Sequence, residues 1–208
     1  MGDARVFLAS RNAKKLAEMQ RILAEHVPEV EVLGLDDVEH YDEPVEDQPT
    51  FEGNALLKAR AAVAATGLPS LADDSGLCVD ALNGMPGVLS ARWSGPPKSD
   101  HRNNQLLLDQ LADVPDERRG AHFVCSVAFC YPVGEAGAAE HVVEGRMDGR
   151  IVRECRGTGG FGYDVVFAAD GYDVTTAELS VADKDAISHR GKALRAIAPL
   201  VADVLTGL

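Results

Sequence analysis

Asp73-Asp74-Ser75-Gly76 places two adjacent carboxylates directly after the apolar stretch Ser70-Leu71-Ala72. Such a pair is costly to bury unless it neutralises a helix N-terminus, a lysine or a divalent cation. In a strand, neighbouring side chains point to opposite faces, so only one of the two can serve a given site. Turn capping is the plain alternative for this segment. Hard carboxylate oxygens suit Mg2+, which takes one or two carboxylates and shares its other positions with phosphate and water. Three further segments have the chemistry of a phosphate site. Ser10-Arg11-Asn12-Ala13-Lys14-Lys15 reads as a strand-to-helix junction, where free N–H groups and the helix dipole favour an anion. Lys58 is a lone cation in an Ala-rich stretch, and Ser188-His189-Arg190-Gly191 follows Lys184 closely. Taken singly, each has an ordinary reading, because surface lysines are usually only solvated and a lone histidine is usually structural.

Gly157-Thr158-Gly159-Gly160-Phe161-Gly162 matches G-x-G-x-x-G letter for letter. A dinucleotide fingerprint must open a helix, whereas Tyr163 to Phe167 reads as strand. A glycine-lined loop that lets a ligand approach the backbone is the better reading. The chain has no G-x-x-x-x-G-K-[ST], no H-E-x-x-H and no G-x-S-x-G.

The elements that must position these residues follow from periodicity. Val6 to Ala9 predicts a buried strand, and Leu16, Met19 and Leu23 predict a helix ending near Pro28. Val30 to Leu35 predicts a second strand, and residues 36 to 50 an acidic, solvated loop. Phe51 to Thr66 predicts a helix with Leu56, Ala59 and Val63 inward, stopped by Gly67-Leu68-Pro69. A helix from Asp100 to Ala112, with Asp100 as N-cap, turns Leu107 and Leu111 inward. From 122 to 131 both faces are mostly apolar, which predicts a central strand. Gly134 to Gly137 turns the chain back into His141 to Gly145. The last helix carries Leu194, Ile197, Val201 and Val204 on one stripe. The sum is one mixed α/β domain over residues 1–208.

The 208 residues are 46% hydrophobic and 25% charged, with a net charge of −13. That charge argues against non-specific binding to nucleic acid or an anionic membrane, but leaves room for a small anion in a local basic pocket. No apolar run reaches the roughly 18 residues of a membrane span, and the N-terminus does not read as a secretory signal. Cys78, Cys125, Cys130 and Cys155 show no metal-site spacing and read as reduced thiols of a cytoplasmic protein.

Together the segments resemble the inosine/xanthosine triphosphate pyrophosphatase family, the Ham1-like non-canonical purine NTP pyrophosphatases. Seven ordered motifs carry the resemblance: Ser10-x-Asn12-x-x-Lys15; Thr50-Phe51-x-x-Asn54-Ala55 with Lys58-Ala59; Leu71 to Leu77; Gly84-x-Pro86-Gly87-Val88-x-Ser90-Ala91-Arg92; Gly160 to Asp164; Thr176-Ala177-Glu178; and Lys184 with Ser188 to Gly191. Three positions depart from the family pattern. Gly53 stands where Glu is usual, Val165 where Pro is usual, and Trp93 where a smaller aromatic is common.

The resemblance implies an elongated mixed sheet flanked by helices, in two lobes with the active-site cleft between them. It implies Mg2+-dependent hydrolysis of ITP, dITP and XTP to a nucleoside monophosphate and pyrophosphate, cleansing the nucleotide pool of deaminated purines. Asp74 would accept a proton and, with Glu46, hold the metal. Ser10, Arg11, Asn12, Ala13, Lys14, Lys15, Lys58 and Arg190 would bind phosphate, and Ser75 would contact substrate. Phe161 would offer its face to the base, Asp164, Lys184, His189 and Arg190 would line its edge, and Gly162 and Tyr163 would also bind substrate. A homodimer is implied as well. The alternatives are a pyrophosphatase for other modified nucleotides and a non-catalytic nucleotide-binding module.

Overall fold

A computed structural model describes residues 4–134 and 137–207 of the chain. In chain order its elements are β1 (Arg5–Leu8), α1 (Ala13–Ala24), β2 (Glu31–Leu33), α2 (Phe51–Thr66), β3 (Ser70–Val79), α3 (Asp100–Gln110), β4 (Gly120–Pro132), β5 (Ala138–Ile151), β6 (Phe167–Ala169), α4 (Val181–Ile187) and α5 (His189–Thr206). The strands form one mixed sheet in the order β2-β1-β3-β4-β5-β6. β2 and β3 both run parallel to β1, and β6 runs antiparallel to β5. The mixed α/β architecture is the one expected.

Two compact units share these elements. The first comprises residues 1–74, 126–144 and 192–208, and the second residues 75–125 and 145–191. In the first, Ala55 and Ala59 of α2 pack with Ala72 of β3 and with Ala128 and Cys130 of β4, while Phe7 packs with Leu35 and Ala62. Small residues on α2 bring its backbone close to the sheet. In the second unit, Leu77, Val79, Leu107, Leu111, Phe123, Met147, Ile151, Tyr163, Val166 and Phe167 make one apolar core.

Several boundaries depart from the sequence reading for local reasons. β2 is shorter than Val30 to Leu35 because the Gly34 N–H turns to the Asp37 carboxylate (2.8 Å) instead of a neighbouring strand. α2 spans the expected residues, but Asn54, Ala55, Ala59 and Ala62 are its buried positions, with Leu56 and Val63 only half-buried. Ser99, not Asp100, caps α3: its hydroxyl accepts the Arg102 N–H. The acid segment is no turn, since β3 runs unbroken from Ser70 through Asp73 and Asp74 to Val79. After the glycine loop comes a single 3-10 turn, Asp164–Val166, and the strand begins only at Phe167. No helix opens there, so the dinucleotide reading stays excluded on corrected grounds. The expected turn from Gly134 to Gly137 includes residues 135 and 136, which lie outside the described residues. Among the described residues none of the four cysteines is in a disulfide.

Candidate active site

In the first unit the site is built on β3. Strand alternation sends Asp73 and Asp74 to opposite faces, and each finds its own helix. Lys15, on the first turn of α1, reaches both carboxylate oxygens of Asp73 at 2.8 Å. Asp73 is 8% exposed, so this lysine neutralises a charge that burial would otherwise make costly. Asp74 faces α2, as does Ala72 two residues earlier, and its Oδ2 accepts the Asn54 side-chain amide at 2.9 Å. Lys58, one turn further along α2, donates to the Asp73 backbone carbonyl at 2.7 Å and to Glu46 at 2.5 Å. Lys15 and Lys58 therefore meet on Asp73, from its side chain and its carbonyl, and Lys58 also holds Glu46.

The acidic loop is more than a solvated coil here. Asn54, 1% exposed, accepts the Gln48 N–H on Oδ1 (3.0 Å) while its Nδ2 binds Asp74. One amide thus ties the loop that carries Glu46 to the residue proposed to accept the proton. The Gly53 departure has its explanation in the same place. A Cβ at Gly53 would lie 2.8 Å from the Gln48 Cβ and 3.1 Å from the Thr50 hydroxyl, so the loop packs where a side chain would stand.

The Ser10–Lys15 junction differs from its expectation. The N–H groups of Lys14 and Lys15 are not open to an anion, because Asn12 caps them with its own side-chain oxygen (3.0 and 3.4 Å). The Asn12 N–H goes to the Ser10 hydroxyl (3.1 Å). Arg11 is bound to Glu43, which raises the guanidinium pKa. Ala13 and Lys14 are exposed on the first turn of α1.

In the second unit the site is the loop from Gly157 to Asp164. Asp164 is 4% exposed and organises it: Oδ2 accepts the Phe161 N–H (2.8 Å) and the Lys184 ammonium (2.5 Å), and Oδ1 accepts the Thr176 hydroxyl (2.8 Å). Gly160 has φ +71 and lies against the Asp164 carboxylate and Lys184 Nζ, where a Cβ would collide. The loop leaves the Phe161 ring 65% exposed, with Lys184 Nζ 5.4 Å from its centroid. An exposed aromatic face beside an ammonium is a platform for a planar ring.

Other expected members sit less openly. Tyr163 is buried, with its hydroxyl donating to the Ser90 carbonyl (2.9 Å); burial, then Asp100, pushes the phenol well above its usual range. Its side chain serves the core. His189 stacks on Phe123, 4.9 Å between centroids, and Arg190 reaches the Ser75 hydroxyl at 3.4 Å. Beside the loop, the Thr175 N–H holds the Glu178 carboxyl below its ordinary pKa.

The sequence reading gave Asp73, Asn54, Asp100 and Asn104 no place in the site, Asp100 only the capping of α3. The signal for the two asparagines was present: each falls at an inward position of an otherwise apolar helix face. Among the described residues, no group of three or more His, Cys, Asp or Glu is arranged to hold a metal ion. Asp74 and Glu46 are hard carboxylates of the kind that would suit Mg2+ completed by phosphate and water.

The family model of the Ham1 family matches residues 6–200. The dITP/XTP pyrophosphatase of Nocardia farcinica is 61% identical over 203 residues, covering 97% of each chain. The crystal structure of the nucleoside-triphosphatase / dITP/XTP pyrophosphatase of Mycobacterium abscessus aligns with a TM-score of 0.79 at 54% identity, covering 94% of this chain and 99% of that one. A HAM1 protein of Coxiella burnetii aligns with a TM-score of 0.87 at 39% identity, covering 96% and 98%. The match of sequence and fold over nearly the whole length places this chain in the Ham1 family.

Proposed function

We propose that the chain hydrolyses non-canonical purine nucleoside triphosphates, dITP, ITP and XTP, to the monophosphate and pyrophosphate. The observation that carries this is the meeting of Lys15 and Lys58 on Asp73, with Glu46 on Lys58 and Asp74 next along β3 held by Asn54, a charge pattern suited to a triphosphate. The names of the relatives point the same way. The β3 set has the chemistry to bind the phosphates, and the glycine loop that to bind the base.

Hydrolysis requires positive charge on the phosphates and an oriented, activated water. Lys15 and Lys58 supply the charge by turning from their internal partners to phosphate oxygens. Water attacks the α-phosphorus, its proton passes to the Asp74 carboxylate, and the bond to the bridging oxygen breaks to release pyrophosphate. Asn54 holds Asp74 Oδ2, so the carboxylate is oriented before substrate arrives. Asp74 and Glu46 would hold Mg2+, which supplies charge neutralisation and makes water more acidic.

Phe161 stacks on the base. Hypoxanthine and xanthine present an acceptor oxygen at C6, where adenine presents a donor amine. Lys184, His189 and Arg190 are donors, so adenine would leave a buried donor unpaired. That mispairing costs about 1–3 kcal/mol, roughly 5- to 150-fold.

The homodimer and the cytoplasmic location are part of the same proposal; among the described residues no helix is long and apolar enough to cross a membrane. Pyrophosphate release from dITP, XTP, ATP and GTP with Mg2+ tests the reading. Turnover of dITP and XTP well above ATP is expected. Equal turnover of all four overturns the selectivity, and tight binding without pyrophosphate release indicates a non-catalytic module.

A further inference from the structure

The backbone on either side of Phe161 is held by hydrogen bonds from two directions. Asp164 takes the Phe161 N–H at 2.8 Å. The other hold comes from α3: Asp100 Oδ2 accepts the Gly162 N–H at 2.7 Å, and Asn104 Nδ2 donates to the Gly162 carbonyl at 2.9 Å. Asp100 is available for this because Ser99 does the capping. The ring itself is 65% exposed, so its orientation is set through its backbone more than by packing.

Asn103 and Asn104 are neighbours on one helix, each 3% exposed, and they differ in how their amides are used. Asn103 spends both ends: Oδ1 accepts from the Ser94 N–H and hydroxyl (2.8 and 2.7 Å), and Nδ2 donates to the Ser90 carbonyl (3.3 Å). Asn104 spends only its donor, and among the described residues its buried Oδ1 has no partner. A buried acceptor left unsatisfied is a net cost to folding, which a leucine of similar volume would avoid. Stability alone therefore does not account for an asparagine at this position; its bond to the loop does.

We infer that Asp100 and Asn104 are positioning residues for purine recognition: α3 grips the Gly162 peptide and so fixes the angle at which Phe161 meets the base. This rests on the reading of the glycine loop as the base site. The test is calorimetric binding of IMP and of tripolyphosphate to the full chain and its variants, together with thermal unfolding. Asn104→Leu is expected to unfold at the same or a higher temperature while its IMP Kd rises roughly 3- to 10-fold, the loss of one hydrogen bond. Its tripolyphosphate Kd stays within twofold. Asp100→Ala, at an exposed position, weakens IMP in the same way, and Asp100→Asn, which keeps an acceptor oxygen, restores most of the loss.

An unchanged IMP Kd in both Asn104→Leu and Asp100→Ala overturns the inference, as does an equal loss of tripolyphosphate binding. Wild-type protein that binds IMP but releases no pyrophosphate from dITP sinks the catalytic reading alone. Failure of the wild type to bind IMP sinks both.

Discussion

Around β3 charge meets charge, whereas in the glycine loop charge holds backbone. Lys15 lies on the Asp73 carboxylate and Lys58 on Glu46 and the Asp73 carbonyl, so under the proposed function a triphosphate would have to displace internal partners. Such an exchange yields only the difference between two sets of ionic bonds, and salt weakens it. The loop needs no exchange. Asp164, Asp100 and Asn104 are spent on Phe161, Gly162, Lys184 and Thr176, and the ring is left bare. Affinity from the β3 set is therefore adjustable by ions, and affinity from the loop is preorganised.

Substitutions that treat the two regions differently test this contrast. The largest effect is expected from Asp74→Asn, a loss of about 10²- to 10⁴-fold in kcat for dITP by pyrophosphate release, the usual contribution of a positioned base. Residual activity near wild type would remove Asp74 from that role. Lys58→Ala comes next. It removes a charge-assisted contact of about 1.5–3 kcal/mol, so KM rises by roughly 10- to 150-fold. For the wild type, added NaCl should raise the tripolyphosphate Kd and leave that of inosine nearly unmoved; equal salt sensitivity would erase the contrast.

Phe161→Ala should cost about 1 kcal/mol of ring contact, roughly fivefold in IMP Kd, with tripolyphosphate binding unchanged. The smallest effect belongs to an exposed ion pair of the first unit that has no part in the site, Arg60 with Glu140 (2.6 Å). The hydrogen bond from Arg60 holds the Glu140 carboxyl below its ordinary value of 4.5. Its stabilisation is thus present above that value and lost as pH falls through the lower, folded one. Glu140→Gln should reduce stability at pH 7 by less than about 1 kcal/mol, with the difference fading in acid, as urea midpoints would show.

The sequence made the elements readable wherever one periodicity dominated, as in α2, β4 and α5. It misplaced boundaries where a side chain captured a backbone group: Asp37 at the end of β2, Ser99 at the start of α3, Asp164 after the loop. The charged site residues were legible because carboxylates and lysines beside apolar runs demand a partner. Which partner was not legible, since Lys15 with Asp73 spans 58 positions and Asn104 with Gly162 another 58. Asn54, though part of a motif, and Asn104 were given no role because a neutral amide on an inward helix face raises no electrostatic alarm until its two ends can be traced.

The unbroken run of β3 through the acid pair makes the enzyme intolerant of changes in counting. A single residue inserted after Ala72 would reverse parity for everything downstream, carrying Asp73 to the α2 face and Asp74 away from it. Inserting a neutral residue would keep the net charge and the run from Asp73 to Leu77, yet Asp74 would be lost from its amide. Insertions and deletions at this point of the strand should therefore be far more damaging than most point substitutions around it.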